Sequence, residues 1–460
     1  MLVADATSQM QATTALHWRS SAARFARALP AGTLAVGGGL AILGATSYGY
    51  LIVAARGLDQ QAFARLSIVW MALFTLGPGL FLPLEQAIAQ RLAAQPGSRS
   101  ARVLVRRAAA LGCGLAAGIT GLCVLAWPWL SARLFDHDAG LFVALVLATC
   151  ALVPVHVTRG VLAGTGRFPR YGAQLALDGV LRLVGAGLLA GLGVRSAAAY
   201  GGVLVASQLV AVALTVGGRT GRAWAIDLAT DAEAEQAGEP MPWRMIAHAL
   251  GWMLVGTTVA QVLVNGGTVV VKAFSDPGDA AAGHFLTAVV LTRIPLFLYA
   301  ALQASLLPGL SRRLADNDVV GARRGLRAIL SIVFWVGTMT TVILLAVGPQ
   351  LDALLFGPSF RIARLPVVLL SVGSTVYLLA ATLAQALLAT RAVRETAWCW
   401  IAGAVAFGVS LPLPGTVAMR ASTSLLIGAA VACACFAVAV RARFARLAVS
   451  EAATDLVLAT

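Results

Sequence analysis

Apolar runs long enough to cross a bilayer follow one another along this chain, separated by short connections that carry most of its arginines. They lie near residues 33–54, 67–87, 108–129, 140–162, 172–193, 197–217, 246–271, 282–307, 328–348, 365–389, 396–413 and 421–440. A helix of about twenty apolar residues spans the hydrocarbon layer. The pattern therefore predicts an all-α integral membrane protein with twelve transmembrane helices. The first run is too long for the apolar core of a signal peptide, which has about 7–15 residues, and is expected to stay as an anchor.

The basic residues test this count, because cytoplasmic loops of membrane proteins are enriched in Arg and Lys. With the N-terminus inside, 24 of the 34 basic residues fall in alternate, cytoplasmic segments. Examples are Arg91 to Arg107, Arg167 with Arg170, and Arg391 with Arg394. Arg159 is counted in the same group. Eight lie in outer segments, and Arg182 and Arg293 lie within spans. Both termini are thus expected in the cytoplasm. Trp127 and Trp129 at an outer boundary, and Trp243, Trp398 and Trp400 at inner ones, are expected to anchor at the headgroup layer.

The one long hydrophilic connection, 218–245, holds Asp227, Asp231, Glu233, Glu235 and Glu239 and falls between spans six and seven. Internal similarity supports a division there. Pro78 and Gln86 recur as Pro295 and Gln303 at an offset of 217, and Arg167 and Arg170 recur as Arg391 and Arg394 at an offset of 224. The expected organisation is an N-terminal segment 1–32, a six-helix bundle 33–217, a linker 218–245, a second six-helix bundle 246–441 and a tail 442–460. The bundles would be repeats in the same orientation, related by an axis along the membrane normal.

Composition agrees with this class: 59% of residues are hydrophobic and 12% charged. The net charge of +15 would otherwise raise nucleic acid as a partner, but the cations are dispersed between spans. No nucleic acid is expected. The six cysteines show no pairing or metal spacing and read as small apolar fillers. Lys272, the sole lysine, stands in no glycine-rich phosphate loop, so the chain has no Walker A motif. Hydrolase and metalloprotease signatures are missing too, and no outer loop is long enough for a polymerase domain. The chain is not expected to be an enzyme, and no cofactor or metal is expected.

Arg293 is the residue that most needs a reason. It lies near the middle of the run 282–307, where a charge is costly and normally faces a protein interior or a wet cavity. Pro295 removes a backbone donor beside it and is expected to kink the helix. Arg182 is a second intramembrane cation, with Asp178 four residues before it on the same helical face.

Three stretches resemble the polysaccharide-transport family, the Wzx-type flippases of the multidrug/oligosaccharidyl-lipid/polysaccharide (MOP) superfamily. They are Ala-Arg-Gly-Leu-Asp-Gln-Gln-Ala-Phe-Ala at 55–64, Gly-Thr-Gly-Arg-Phe-Pro-Arg-Tyr at 164–171, and Arg-Ile-Pro with Leu-Leu-Pro-Gly-Leu over 293–310. The resemblance covers essentially the whole chain. It implies a MATE/MOP-like V-shaped bundle that flips a polyprenyl-pyrophosphate-linked oligosaccharide to the outer leaflet by alternating access, for cell-surface polysaccharide biosynthesis. Its implied partners are that glycolipid, membrane lipids and other polysaccharide-assembly proteins. Lipid II flippases of the superfamily usually have two further helices.

A pyrophosphate in a low-dielectric cavity needs cations, and arginine's forked donors fit phosphate oxygens. Arg293 is the first candidate. Arg182 either serves the same head group or forms a structural pair with Asp178. Gln86, Gln303, Asn265 and Gln261 would bond sugar hydroxyls or neighbouring helices, with Pro78 and Pro295 as gating kinks. Arg56 and Lys272 occupy matching outer ends and either line an outer mouth or snorkel to headgroups. Glu85 reads as a boundary carboxylate, and His156 and His248 as isolated histidines. The competing readings are a cation-coupled multidrug exporter, a lipid II flippase and a non-transporting scaffold. An exporter of that kind would want unpaired membrane carboxylates, whereas Asp178 has Arg182 beside it and Arg293 has no local carboxylate partner, so the sign of the interior argues against it.

Overall fold

The computed structural model describes residues 33–94, 99–217, 243–276, 279–293, 310, 313–314, 318–360, 363–390 and 392–458. Regular structure among them is entirely helical. The helices are α1 (Thr33–Gly57), α2 (Gln60–Leu76), α3 (Leu82–Ala94), α4 (Arg99–Leu125), α5 (Trp127–Arg133), α6 (Ala139–Gly164), α7 (Phe168–Gly191) and α8 (Ala197–Val216). After the linker come α9 (Trp243–Phe274), α10 (Ala281–Thr292), α11 (Val319–Phe356), α12 (Arg364–Ala389), α13 (Val393–Ser410) and α14 (Val417–Leu458). A π-helical turn, Gly77–Phe81, joins α2 to α3 without a break.

Ten helices among the described residues are long and apolar enough to cross a membrane. The chain is a multi-pass membrane protein. Two predicted spans are not among the ten. Of 282–307 only α10, ending at Thr292, lies among the described residues together with Arg293; Pro295 and Gln303 lie outside them, as do residues 1–32 and 218–242. The other, α13, has 18 residues and carries Arg394 and Glu395 in its first turn. Two helices overrun their apolar runs. The 38 residues of α11 begin with a turn holding Arg323, Arg324 and Arg327, and α14 continues to Leu458. Backbone hydrogen bonding carries a helix beyond the apolar stretch, so hydropathy understates its length.

Local chemistry sets the boundaries. Asp59, Asp138, Ser196 and Asp318 cap the starts of α2, α6, α8 and α11, each accepting a hydrogen bond from a backbone N–H three residues on. At the ends of α6 and α7 the chain turns through Gly166 and Gly193, at φ +71° and +69°, with Arg167 and Val194 donating back to Leu162 and Leu189. Only glycine takes that left-handed conformation without a steric penalty.

Before the linker, α1 packs on α7, α3 and α4 on α6, and α8 on both α6 and α7. After it, α9 packs on α13, α10 and α11 on α12, and α14 on both α12 and α13. The same pairings thus occur in the same order on both sides of the linker. Between the two sets, α9 lies along α2 and the π turn, α10 along α2, and the end of α11 against α1.

Lipid tails are as apolar as leucine, so helices in a bilayer associate through close packing of small residues. The α1–α7 pair shows this. A Cβ on Gly172 would stand 2.1 Å from the Ala35 carbonyl oxygen, and one on Gly39 would stand 2.4 Å from the Gly172 carbonyl oxygen. Gly172→Val should therefore lower stability in detergent by about 1–3 kcal/mol through overpacking. Gly187→Ala, on the same helix with no atom within 4 Å of its added carbon, should leave the thermal midpoint unchanged.

Candidate functional site

The π turn begins the site. Pro78 has no N–H to give the carbonyl four residues before it, that of Phe74. Asn265 of α9 fills the vacancy from across the junction, its amide nitrogen donating to the Phe74 oxygen at 3.1 Å and to Gln261 Oε1 at 3.1 Å. One turn further, Thr257 Oγ1 donates to the Gly79 carbonyl at 2.6 Å. Gly79 permits this approach, since its Cβ position is 3.1 Å from the Thr258 Cα. A helix irregularity in one set of helices is thereby stitched to α9 of the other.

Arg293 sits at the same junction. It follows the last residue of α10 and donates from Nη2 to the Val264 carbonyl of α9 at 2.7 Å. Among the described residues it has no carboxylate partner. Tyr48 of α1 and Tyr377 of α12 lie within electrostatic reach of it. Asn265, Thr268, Thr292 and Ser374 share its small cavity, framed by α9, α10, α12 and α14. The structure thus brings Arg293 together with Asn265, and Asn265 with Gln261 and the turn at Pro78.

It places Arg182 elsewhere. Asp178 lies between two arginines, with Arg182 Nη2 at 2.9 Å from one oxygen and Arg159 Nη2 at 3.6 Å from the other. Ser207 donates to Asp178 at 3.0 Å, Arg182 Nη1 reaches Ser47 Oγ at 3.3 Å, and the Arg182 guanidinium lies over the Trp70 ring. All three charged groups are buried. Arg159, counted as a loop cation from the sequence, is a buried helix residue. Of the remaining nominees, Gln86 is exposed.

Next to it, Glu85 corrects the sequence reading. It is 4% exposed, accepts a hydrogen bond from the Tyr171 hydroxyl at 2.6 Å and pairs with His156 Nδ1 at 2.7 Å. It is no boundary carboxylate, and His156 is not isolated. Gln174 and Thr158 continue the polar run towards Asp178. An intramembrane carboxylate needs a partner as much as an intramembrane arginine does, and applying that rule to Glu85 would have found the cluster.

At the opposite end, Lys272 is 1% exposed and holds Asp136 at 2.9 and 3.2 Å. Arg56 donates to the carbonyls of Leu354 and Leu355 at 2.7 and 3.0 Å, and Phe63 packs edge-on against Phe360. Lys272 does not snorkel; both cations clasp the two sets of helices together. Trp400 is another correction: it is a core residue between Tyr377 and Phe436 rather than a headgroup anchor.

No family model matches the chain. An uncharacterized protein of Mycobacterium tuberculosis is 27% identical over 417 residues, covering 87% of this chain and 90% of that protein. A second uncharacterized protein of the same organism is 26% identical over 425 residues, covering 88% and 91%. Among solved structures, a MATE protein in the bent conformation superimposes with a TM-score of 0.62 at 14% identity, over 92% of this chain and 96% of that one. The chain has the MATE transporter fold. The inward-facing conformation of a multidrug resistance MATE family transporter of the MOP superfamily gives a TM-score of 0.63 at 16% identity, over 88% and 94% of the two chains. The outward-facing conformation of a multidrug resistance MATE family transporter gives 0.60 at 13% identity, over 90% and 95% of the two chains. The all-α architecture read from the hydropathy pattern is therefore that of the MATE fold.

Within this fold the Asp178 cluster should be needed for stability. Asp178→Ala strands two buried arginines and is expected to cost about 3–5 kcal/mol. Arg182→Ala leaves Asp178 with Arg159 and Ser207 and should cost clearly less. Thermal unfolding of the two variants in one detergent tests the order; equal or reversed losses would refute it.

Proposed function

We propose that this protein is a transporter that moves a polyprenyl-pyrophosphate-linked oligosaccharide from the inner to the outer leaflet of a bacterial cytoplasmic membrane. The observation that carries the reading is the state of Arg293. Arg159 and Arg182 share the Asp178 carboxylate, whereas Arg293 has no carboxylate partner among the described residues and donates from Nη2 to a backbone carbonyl. The forked donors of a guanidinium suit the oxygens of a diphosphate. Asn265 and Gln261 lie on the adjacent face of α9 to receive sugar hydroxyls.

The two six-helix halves, 33–217 and 246–441, rock about this junction, with both termini and the linker in the cytoplasm. The Arg293 cavity has room for little more than a water molecule in this conformation. Entry of a head group therefore requires the helices that frame it to move, and this reading puts the movement where α9 and α10 meet α2, with the Asn265–Phe74 and Thr257–Gly79 bonds breaking. The clasps of Arg56 and Lys272 close the outer side meanwhile, and the polyprenyl tail remains in lipid.

A cation-coupled multidrug exporter is the second reading. The observation in its favour is the pair of buried carboxylates Glu85 and Asp352, which the apolar pattern did not reveal. Native mass spectrometry of the purified protein separates the two. Polyprenyl-pyrophosphate glycan should bind the wild type and bind Arg293→Ala about 10- to 100-fold more weakly, the loss expected for charge-assisted hydrogen bonds. Binding of a cationic drug alone, or equal glycolipid binding to both proteins, would overturn the flippase reading.

A further inference from the structure

Asp352 is a buried charge-bearing group that no part of the Arg293 site uses. The apolar run of span nine ends near 348, which would leave this residue in an outer connection. Instead α11 continues through Pro349 to Phe356, and Asp352 is 0% exposed. Neither carboxylate oxygen accepts a hydrogen bond, and among the described residues no ion pair reaches it. An isolated carboxylate in such a place is strongly disfavoured against its neutral acid.

One hydroxyl neighbours the carboxyl. Thr287 of α10, itself fully buried, stands beside the carboxyl. Its single proton is directed to the carbonyl of His284 at 2.8 Å. That proton can also turn to the carboxylate, which it would stabilise, so burial and not this hydroxyl favours the neutral acid. The cations on the packed elements are engaged elsewhere or stand apart. Arg56 of α1 holds the carbonyls of Leu354 and Leu355, Arg420 of α14 donates to Leu411 and stacks on Phe274, and the His284 ring of α10 packs on Phe360. Arg364 opens α12 and forms no ion pair with Asp352.

Asp352 also lies directly beneath a seal. The Leu354 and Leu355 carbonyls gripped by Arg56 are the next half turn of the same helix, and Gln60 reaches the Ser359 carbonyl beyond them. Parting α11 from α1 would admit water to the carboxyl.

We propose that Asp352 is a proton-binding site: it holds a proton while this end is sealed and releases it to water when the Arg56 contacts open. The O–H bond breaks, a water molecule takes the proton, and the carboxylate left behind is stabilised by solvent. By linkage, the sealed state binds the proton more tightly than the open one. Acid therefore favours the seal, and raising the pH favours opening. This inference does not depend on the glycolipid reading.

The test uses the full chain in lipid nanodiscs, with the native cysteines replaced and spin labels on Gln61→Cys and Ser359→Cys, both exposed positions across the seal. Pulsed EPR distances should be short in acid and gain a longer population as the pH rises. Asp352→Asn, a permanent stand-in for the neutral acid, should stay short throughout, while Glu85→Gln should follow the wild-type curve. Infrared titration should show a carboxylic-acid band that disappears as the distance lengthens. The proposal is overturned if wild-type distances ignore pH, or if Asp352→Asn opens along the same curve. Should that variant not fold, the infrared titration of Glu85→Gln decides: loss of the acid band in step with opening supports the site, and absence of the band overturns it.

Discussion

A polar group inside a bilayer has no water to fall back on, and this constraint orders the whole molecule. Where the chain breaks its own helical hydrogen bonding, at Pro78, a side chain from the other set of helices fills the gap. Where it buries a carboxylate, at Asp178, two arginines and a serine surround it. Several of the contacts that hold the two sets together are polar groups meeting an obligation of this kind. Apolar packing could not have selected among partners so narrowly, because lipid competes with it on equal terms.

The same constraint distinguishes structural charges from available ones. Arg182 and Arg159 share one anion, and their cluster spans α6, α7 and, through Ser207 and Ser47, α8 and α1. A cluster so enclosed ties four helices into one body. Arg293 and Asp352 are different. Each lies at a place where the two sets of helices meet, and each lacks a partner of opposite charge among the described residues. Groups left in that state are where a ligand, or a proton, changes the energy most. The head-group site and the proton site proposed above occupy different levels of the same junction, so movement at one is geometrically tied to the other.

The two cations at the sealed end add a mechanical element. Arg56 terminates α11 by donating to its last carbonyls, a task normally left to solvent or a local cap. Lys272 holds Asp136, and at Asp136 and His137 the backbone is in the left-handed region, at φ 47° and 63°. Residues other than glycine adopt that conformation at some cost. Closure at this end thus rests on a few directional contacts, the kind that can be exchanged for water.

By itself the sequence determined the membrane class, the helical class and the places of the helices, because each depends on local runs of apolar residues and on where arginines cluster. Arg293 was also legible, since a lone cation in a long apolar stretch is conspicuous. What the tertiary structure decided was partnership. The pairing of Glu85 with His156 and Tyr171 joins residues 71 and 86 positions apart, and the Lys272–Asp136 clasp joins residues 136 apart. Nothing local marks such pairs. Arg159 was read as a loop cation, and the burial of Asp352 beyond the apolar run was not legible, for the same reason: hydropathy reports where an apolar run stops, while backbone hydrogen bonding and the packing of neighbouring helices decide where a helix stops and which of its faces is buried.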